Sequence, residues 1–332
     1  MTTTRFSRVL PLTLLIAGAL QAAEPSKQTV RVLWRDPADL ESRNLLYGAG
    51  GKNDTPIAGP FEFVKEDMNG TNPKFTVKDS KGLKWKVKLG PEARPETVAT
   101  RFVWAAGYFT DEDYFVERAQ ITAVPFERLR RVKGGISSDS LVHNARFELE
   151  HPDGEKKDST WSWKHSEFAG SRELNGLRTL MALVNNWDLK EENNTVYLLH
   201  SDGDALYVVS DLGATFGGTS LGWNHAKSRG NLKAYERSRF ITHKHANRVD
   251  FASPGRPAII EIFNPYEYFM RVRLESIGHH IPRADAKWIG TILARLSPEQ
   301  IRDAFRAGGY TPKEVEAYAS VVEKRIAALN AL

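Results

Sequence analysis

The sequence predicts an α+β protein with a sheet-rich first half and a helix-rich second half. Before about residue 160, short runs of alternating apolar and polar residues are separated by Gly, Asn and Pro. After residue 171, apolar residues recur three or four places apart, which is the helical period. The 332 residues are enough for two domains of ordinary size. We therefore expect two lobes, an antiparallel-sheet lobe at residues 61–160 and a mainly helical lobe at 161–332, with a cleft between them.

Residues 1–23 are typical of a secretory signal peptide. Arg5 and Arg8 precede an apolar run at residues 9–20, and Ala22 and Ala23 offer small residues for cleavage. The run is shorter than the roughly 20 residues that a membrane span needs, and no later segment is apolar enough to replace it. We therefore expect an exported protein, periplasmic or extracellular, with no transmembrane segment after signal cleavage. Residues 24–60 form a lead that we expect to be loosely structured.

The amino-acid composition excludes some classes of function. The chain has no cysteine, which excludes disulfides and thiol chemistry. Its net charge of +5 is a mild excess that suits polyanion contact without demanding it. Charges of both signs are mixed along the chain, and no basic run is interleaved with aromatic residues, so nucleic-acid binding is not expected.

The first lobe begins with an antiparallel meander. Its strands are predicted at 61–65, 74–78 and 83–89, separated by turn sequences. A helix follows, with Pro95 in its first turn and Gly107 at its end. Two more strands, predicted at 121–125 and 141–149, continue the sheet.

The second lobe is mostly helical. A helix starts at Ser171, and a hairpin with strands at 195–199 and 206–209 follows it. Capping boxes at Ser297 and Thr311, each followed by Pro at the first helical position, mark two later helices.

The helix from Ser171 leads into an unusual polar turn. The stretch "NNWDLKEENNTVYLL" at 185–199 contains Asp188, Lys190 and Asn193, and the following hairpin ends in Asp-Leu-Gly from Asp211. This order of elements resembles the catalytic loop and the metal-binding Asp-Phe-Gly segment of the protein kinase-like superfamily. The resemblance implies a two-lobed kinase-like fold that binds ATP and Mg²⁺ or Mn²⁺ and transfers phosphate to an unknown hydroxyl-bearing acceptor.

The resemblance also implies a role for each residue of this turn. Asp188 would accept the hydrogen bond of the attacking hydroxyl, and Lys190 would lie near the transferred phosphate. Asp211 and Asn193 would hold the metal, because a hard cation takes oxygen ligands. Phosphoryl transfer needs mainly positioning and charge neutralisation, which these residue types supply.

Phosphate contacts are expected from the first lobe. Lys86 and Lys88 alternate with apolar residues, so both face one side of their strand. Lys88 is the preferred contact, with Lys86 left open, and Glu96 would be its salt-bridge partner in competition with Glu92. Gly70, the glycine of the first hairpin turn, takes the position over the phosphates.

Several departures place the chain in a distant, atypical branch, which is lipid-kinase-like, toxin-kinase-like or secreted kinase-like. Asn186-Trp187 stands where His-Arg is usual, no G-x-G-x-x-G is present, and no Ala-Pro-Glu follows Asp-Leu-Gly. "YGAGG" at 47–51 is Gly-rich but lies too far ahead of Lys88.

Other interpretations stay open at this point. Asp188 and Asn193 also suit a solvated turn, and Lys86 and Lys88 also suit an exposed strand face. At the level of function, the alternatives to a kinase are a silent pseudokinase that acts as a binding module, and nucleotidyl transfer with the triphosphate bound in reverse.

Overall fold

The computed structural model describes residues 29–56, 59–70, 72–150, 155–186, 188–199, 203–218, 229–252, 262 and 265–332. The signal peptide expected at 1–23 lies outside the described residues. No helix within the described ranges combines the length and the apolar character needed to cross a membrane.

A closed barrel of five strands forms the first part of the fold. Its strands are β2 (Phe61–Asp67), β3 (Lys74–Lys78), β4 (Lys84–Lys88), β6 (Asp113–Thr122) and β7 (Leu141–Leu149). Neighbours along the order β2-β3-β4-β7-β6 are antiparallel, and β2 closes the barrel by pairing in parallel with β6. Alternate side chains point inward and form one core, which includes Phe61, Phe75, Trp85, Val87 and Phe147.

The barrel strands agree with the meander predicted from the sequence, with one clear difference. The strand expected at 121–125 instead spans Asp113–Thr122. It ends early because Ala123 has a positive φ of 56° and Pro125 cannot donate to the ladder. Its first residues were not predicted because Glu117 and Arg118 are charged and exposed, which masks the alternation.

A second sheet combines segments from both sides of residue 160. It contains β1 (Arg31–Val32), β5 (Phe109–Thr110), β8 (Glu155–Ser159), β9 (Asn194–Leu199) and β10 (Ala205–Val209). Strand β10 pairs in parallel with β1 and β5, and antiparallel with β9. Trp161 lies against this sheet, and its indole N–H donates to the carbonyl of Val208 at 2.9 Å.

Helices fill the remainder of the described chain, together with a small antiparallel sheet. The helices are α1 (Gly51–Asp54), α2 (Ala93–Ala105), α3 (Arg172–Leu183), α4 (Leu232–Arg237), α5 (Pro265–Glu275), α6 (Arg283–Leu293), α7 (Pro298–Ala307) and α8 (Pro312–Asn330). The small sheet contains β11 (Ile241–Lys244), β12 (Arg248–Phe251) and β13 (Ile281–Pro282). Both predicted capping boxes, at Ser297 and Thr311, are formed.

Helix α2 joins the barrel to the helical part. Its Phe102 packs against Phe216, with ring centroids 6.2 Å apart, and against Phe305 at 5.9 Å. The helix is buried on nearly every face, and the buried residues include Glu96 and Arg101. Charged side chains on such a helix need partners inside the protein, so α2 is a candidate element for a functional site.

Candidate active site

Lys88 is the centre of a cluster of charges at the end of β4. Its ammonium lies 2.7 Å from Glu92 Oε2, 3.0 Å from Glu96 Oε2 and 2.7 Å from Asp211 Oδ1. The residue is only 4% exposed. Burial by itself lowers the pKa of Lys88, but the charges of Glu96, Asp211 and Glu92 outweigh it and raise that pKa above its ordinary value. The lysine is therefore a permanent cation in this site.

The connection between β4 and α2 explains how two of these carboxylates reach Lys88. Strand β4 ends at Lys88, the chain turns at Gly90 with φ 105°, and α2 begins at Ala93. Glu92 and Glu96 follow Lys88 by four and eight positions, so both lie at the start of α2 next to the strand end. Both acids that competed for Lys88 in the sequence contact it.

Arg146 is a second buried cation behind Glu96. It lies directly opposite Lys88 in the pairing of β7 with β4. Its guanidinium contacts Glu96 at 3.1 Å, Asp113 at 2.8 Å and Glu148 at 2.8 Å. Burial raises the pKa of Glu96 to about 7, although Arg146 and Lys88 act to lower it. Glu96 is thus held between two cations.

Sequence reasoning missed Arg146. It lies between Ala145 and Phe147 in a strand where four consecutive residues, 145–148, are buried, and this burial is visible only in the structure. An arginine in such a run needs buried carboxylates. The sequence did not show which acids those would be, since Asp113 belongs to β6 and Glu96 to α2.

Lys86 lies two residues before Lys88 on the same strand. Its ammonium pairs with Glu148 Oε1 at 2.7 Å, and the side chain is 44% exposed. Both lysines line the same cavity, as expected from the alternation of β4. Lys86 is the more accessible of the two, and Lys88 has the more carboxylate partners.

The polar turn between α3 and β9 is held together by its own side chains. The backbone N–H of Asp188 donates to Asn186 Oδ1 at 3.0 Å, and Asn193 Nδ2 donates to the Asp188 carbonyl at 2.8 Å. The second bond uses the amide nitrogen of Asn193 and leaves the amide oxygen for another partner. Asn193 therefore has the arrangement of a side chain that can offer an oxygen ligand.

The carboxylate of Asp188 is partly buried and has a cation nearby. Lys190 Nζ lies 3.3 Å from Asp188 Oδ1, with side-chain exposures of 43% and 22% respectively. The geometry of that contact is that of an ion pair and not of a good hydrogen bond, since Oδ1 has no hydrogen-bond partner within the described chain. Burial raises the pKa of Asp188, although Lys190 acts to lower it.

Asp211 comes directly after β10 in a left-handed backbone conformation, with φ 50°. Its side chain is about half exposed, at 49%, and contacts Lys88. Burial of its surroundings acts to raise the pKa of Asp211, but Lys88 holds that pKa below its ordinary value. Two residues later, a Cβ on Gly213 would lie 2.6 Å from the Cβ of Glu92, so glycine is needed there for Glu92 to stay beside Lys88.

A cavity of about 560 Å³ brings most of the candidate residues together. Among the residues that line it are Lys86, Lys88, Glu96, Asn193 and Asp211. Its walls come from barrel strands on one side and from β9 and the residues directly after β10 on the other.

Three candidates are not among the residues that line this cavity. Asp188 and Lys190 lie in the adjoining turn, beside Asn193. Gly70 lies in the turn between β2 and β3, where Met68 and Asn69 reach the cavity instead. The Gly70 carbonyl accepts a hydrogen bond from Arg131 Nη2 at 2.7 Å.

Two groups of oxygen atoms near Lys88 could serve as ligands for a metal ion. Glu92, Glu96 and Asp211 each have a carboxylate oxygen within 4.8 Å of the others. Lys88 already contacts all three, so an ammonium already lies among these carboxylates. Asp211 and Asn193 line the open cavity together and offer one carboxylate and one amide oxygen, which fits Mg²⁺, a cation that usually takes few protein ligands and completes its shell with water and phosphate.

Among known proteins, the chain is similar to several solved structures. No family model and no curated protein matches the chain. The fold is similar to the proinflammatory kinase CtkA of Helicobacter pylori, with 9% sequence identity, a TM-score of 0.46, and coverage of 82% of this chain and 98% of that one. It is similar to the Golgi casein kinase, with 11% identity, a TM-score of 0.35, and coverage of 88% and 78%. It is also similar to the Golgi casein kinase with Mn/ADP bound, with 11% identity, a TM-score of 0.31, and coverage of 89% of this chain and 78% of that one. All three are named as kinases.

Proposed function

We propose that this protein binds ATP with Mg²⁺ or Mn²⁺ in the Lys88 cavity and transfers phosphate to a hydroxyl group of a protein, lipid or small molecule. The observation that carries the proposal is the convergence of Lys88, Asn193 and Asp211 on one cavity. Lys88 and Asp211 are 123 positions apart, so this convergence is a property of the fold and not of a local turn.

The cavity suits a nucleoside triphosphate in size, and its lysines offer contacts for the phosphates. Its volume of about 560 Å³ falls within the usual range for small-molecule sites, roughly 300 to 1,000 Å³. Lys88 would exchange its contact with Asp211 for a phosphate oxygen, while Glu96 keeps the ammonium in place from its other side. Lys86 would contact the phosphates from its position two residues earlier, at the accessible side of the cavity.

Asp211 and Asn193 would hold the divalent cation. When bound, such a cation neutralises phosphate charge and so makes the transferred group easier to attack. The half-exposed carboxylate of Asp211 and the amide oxygen of Asn193 are the ligands that the chain supplies for it.

Asp188 would orient the acceptor and receive its proton. A carboxylate serves as a general base when its pKa is shifted toward the working pH, and burial shifts the pKa of Asp188 upward. The hydrogen bond from the Asn193 side chain to the Asp188 carbonyl couples the position of this base to that of a proposed metal ligand. Lys190, 3.3 Å from Asp188, would be available to the transferred phosphate.

The proposal includes the organisation expected from the sequence. Residues 61–160 would form the nucleotide-binding lobe and residues 161–332 the catalytic lobe, and the mature chain would act after export. The sheet that contains β5, β9 and β10 would be the connection between the lobes, since it takes strands from both.

One observation favours the second candidate function, a pseudokinase that acts as a binding module. The cation that would contact phosphate is paired at 2.7 Å with the carboxylate that would hold the metal. An enzyme must open this pair in every cycle of turnover, whereas a binding module needs to open it only when nucleotide binds.

Label transfer from ATP distinguishes the candidates. The mature chain is incubated with γ-labelled ATP or α-labelled ATP, in Mg²⁺, Mn²⁺ or EDTA, with an extracellular protein and lipid extract as acceptor. Transfer of γ-label that needs a divalent cation and is lost in Asp211→Asn supports the kinase. Transfer of α-label indicates nucleotidyl transfer instead, and metal-dependent ATP binding without either transfer indicates a binding module. If ATP does not bind at all, the proposal is wrong.

A further inference from the structure

Arg101 is a buried cation on α2 that the proposed active site does not use. The residue is 3% exposed. Its Nε has no hydrogen-bond partner, and no carboxylate is within ion-pair distance of its guanidinium, among the residues that the structure describes. It lies over the ring of Tyr114, 5.2 Å from the centroid, and Glu112 and Asp113 act on it only through space.

An uncompensated buried guanidinium is costly. Removing a charge from water takes several kcal/mol unless a partner ion or hydrogen bonds replace the solvent. The contact with Tyr114 is favourable, but cation–π contacts are worth only about 0.5 to 2 kcal/mol. Arg101 therefore has capacity for an anion that the described part of the chain does not supply.

The Gly-rich segment 47–51, which the active site leaves unassigned, covers Arg101. Gly48 has φ 77°, and a Cβ at this position would collide with the guanidinium of Arg101. Glycine is thus needed there both for the backbone conformation and for the close approach. The next residue, Ala49, is exposed and lines a second cavity.

This second cavity has a volume of about 560 Å³ and lies between the N-terminal segment, the end of α2 and the second sheet. Trp104, one turn after Arg101 on α2, forms part of its wall, and so do Arg35 and Arg43. Its apolar lining residues are Phe109, Leu149, Leu206 and Val208.

The arginines in the cavity wall differ in how strongly they are already paired. Arg43 lies over the Trp104 ring at 4.8 Å, pairs with Asp39 at 2.8 Å and donates to the Trp104 carbonyl. Arg35 lies over Phe109 at 5.2 Å, and its carboxylate partner, Asp204, is 3.8 Å away. Arg35 therefore keeps donors for a ligand. Glu112 is the acidic residue in the described lining.

We propose that this cavity binds a small amphiphile with one carboxylate or phosphate group and an apolar body. The anionic group would lie at the Ala49 end, within the field of Arg101 and in contact with Arg35. The apolar body would lie against Leu149, Leu206 and Val208. Charge-assisted hydrogen bonds would fix the head group, and burial of the body would supply the remaining affinity.

Position relates this cavity to the proposed active site. Tyr197 lines both cavities, and Leu149 follows Glu148, the partner of Lys86. A ligand bound in the second cavity would therefore affect residues in the wall of the first cavity. The proposal itself does not depend on phosphate transfer, and its test is run without nucleotide.

The test is a calorimetric titration of the mature chain with decanoate, decyl phosphate and decanol, below the concentrations at which they form micelles. We expect saturable binding of at least one anion, and binding of decanol at least tenfold weaker. The two anions distinguish a carboxylate ligand from a phosphate ligand. Equal affinity for decanol, or no binding of either anion, overturns the proposal.

Variants identify the head-group site. Arg101→Met and Arg35→Met are each expected to weaken anion binding by tenfold or more, while Arg128→Met, which removes an exposed arginine elsewhere, leaves it unchanged. Arg101→Met removes a charge without a counter-ion, so its melting temperature without ligand should not fall below that of the parent. Ala49→Trp, a change at an exposed turn residue, should reduce affinity by filling the cavity. Parent-like binding by both arginine variants would show that the charges do not hold the ligand.

Discussion

Lys88 and Asp211 are separated by 123 positions in the sequence, yet Lys88 Nζ lies 2.7 Å from Asp211 Oδ1. The contact joins the end of β4 to the residue that follows β10. Glu92 and Glu96 complete the surroundings of the same ammonium. One buried lysine therefore reduces the repulsion among three acids, and that relationship sets the properties of the whole candidate site.

Replacing Lys88 with Met is expected to destabilise the protein strongly. The change leaves Glu92, Glu96 and Asp211 without their shared cation, and loss of one partner from a buried ion pair typically costs about 3–5 kcal/mol. Urea unfolding measures the free energy of unfolding. Lys84→Met, at the exposed start of the same strand, is the matched control and should change it by less than about 0.5 kcal/mol. Equal stability of the two variants would contradict the charge-balancing role of Lys88.

Asp188 and Asp211 are expected to fail in different ways when each is changed to Asn. Asp188→Asn should leave ATP affinity nearly unchanged and lower turnover by about 10² or more, the usual scale for a lost general base. Asp211→Asn should weaken metal-dependent ATP binding as well, because that carboxylate would hold the metal. Parallel binding titrations and γ-label transfer give both quantities. Unchanged transfer by Asp188→Asn would remove Asp188 from the mechanism.

Nucleotide should stabilise the fold only when a divalent cation is present. With ADP at a hundred times its dissociation constant, the folded state gains about 2.7 kcal/mol by mass action. In EDTA this gain should disappear, because Asp211 and phosphate are both negative and need a cation between them. Thermal unfolding with ADP, carried out with and without Mg²⁺, measures this gain in stability. In the control variant Asp211→Asn, ADP should not stabilise the fold in either condition. An equal shift in EDTA would argue against the proposed metal site.

Gly213→Ala should disturb the site through packing alone. The added Cβ would lie 2.6 Å from the Cβ of Glu92, so Glu92 must move away from Lys88. Overpacking of this kind costs about 1–3 kcal/mol. Gly134→Ala is a suitable control, since nothing lies within 4 Å of its added Cβ. A free energy of unfolding for Gly213→Ala equal to that of the control would mean that Glu92 accommodates the methyl group freely.

Glu66→Gln should weaken the fold in a pH-dependent way. The Glu66 carboxylate accepts backbone N–H bonds from Arg130, Arg131 and Val132 at 2.9, 2.5 and 2.8 Å. Burial acts to raise the pKa of Glu66, but these bonds hold it below its ordinary value of 4.5. The carboxylate therefore stabilises the fold fully above pH 4.5, and this contribution is lost as the pH falls through the lower folded-state pKa.

At pH 7 we expect Glu66→Gln to lower the free energy of unfolding by about 1–3 kcal/mol. The difference from the parent should narrow in acid, because the parent carboxylate becomes protonated there. Urea unfolding in neutral and acidic buffers measures it, with the exposed Glu117→Gln as control. A difference that does not depend on pH would show that charge is not the cause.

Local patterns in the sequence predicted most of the elements and several residues of the candidate site. Strands at Lys74–Lys78 and Leu141–Leu149, and the capping boxes at Ser297 and Thr311, follow from alternation and from side-chain bonds within four residues. Strand alternation predicts that Lys86 and Lys88 share a face, and Lys88 is preferred because it takes the last place of an apolar-x-apolar-Lys pattern. Such features depend on the backbone next to the residue, so they are visible in the sequence.

Tertiary structure alone decided which distant residues meet. The parallel pairing of β2 with β6 closes the barrel, and Arg146 joins Glu96 to Asp113 on the side of the strands that faces away from the barrel core. Neither has a local signal, because a strand can pair with any partner of suitable pattern, and a buried charge can be balanced by any opposite charge that the fold delivers. The position of Gly70 outside the cavity has the same origin: its turn was predictable from the sequence, but the direction in which the hairpin points depends on how the barrel closes.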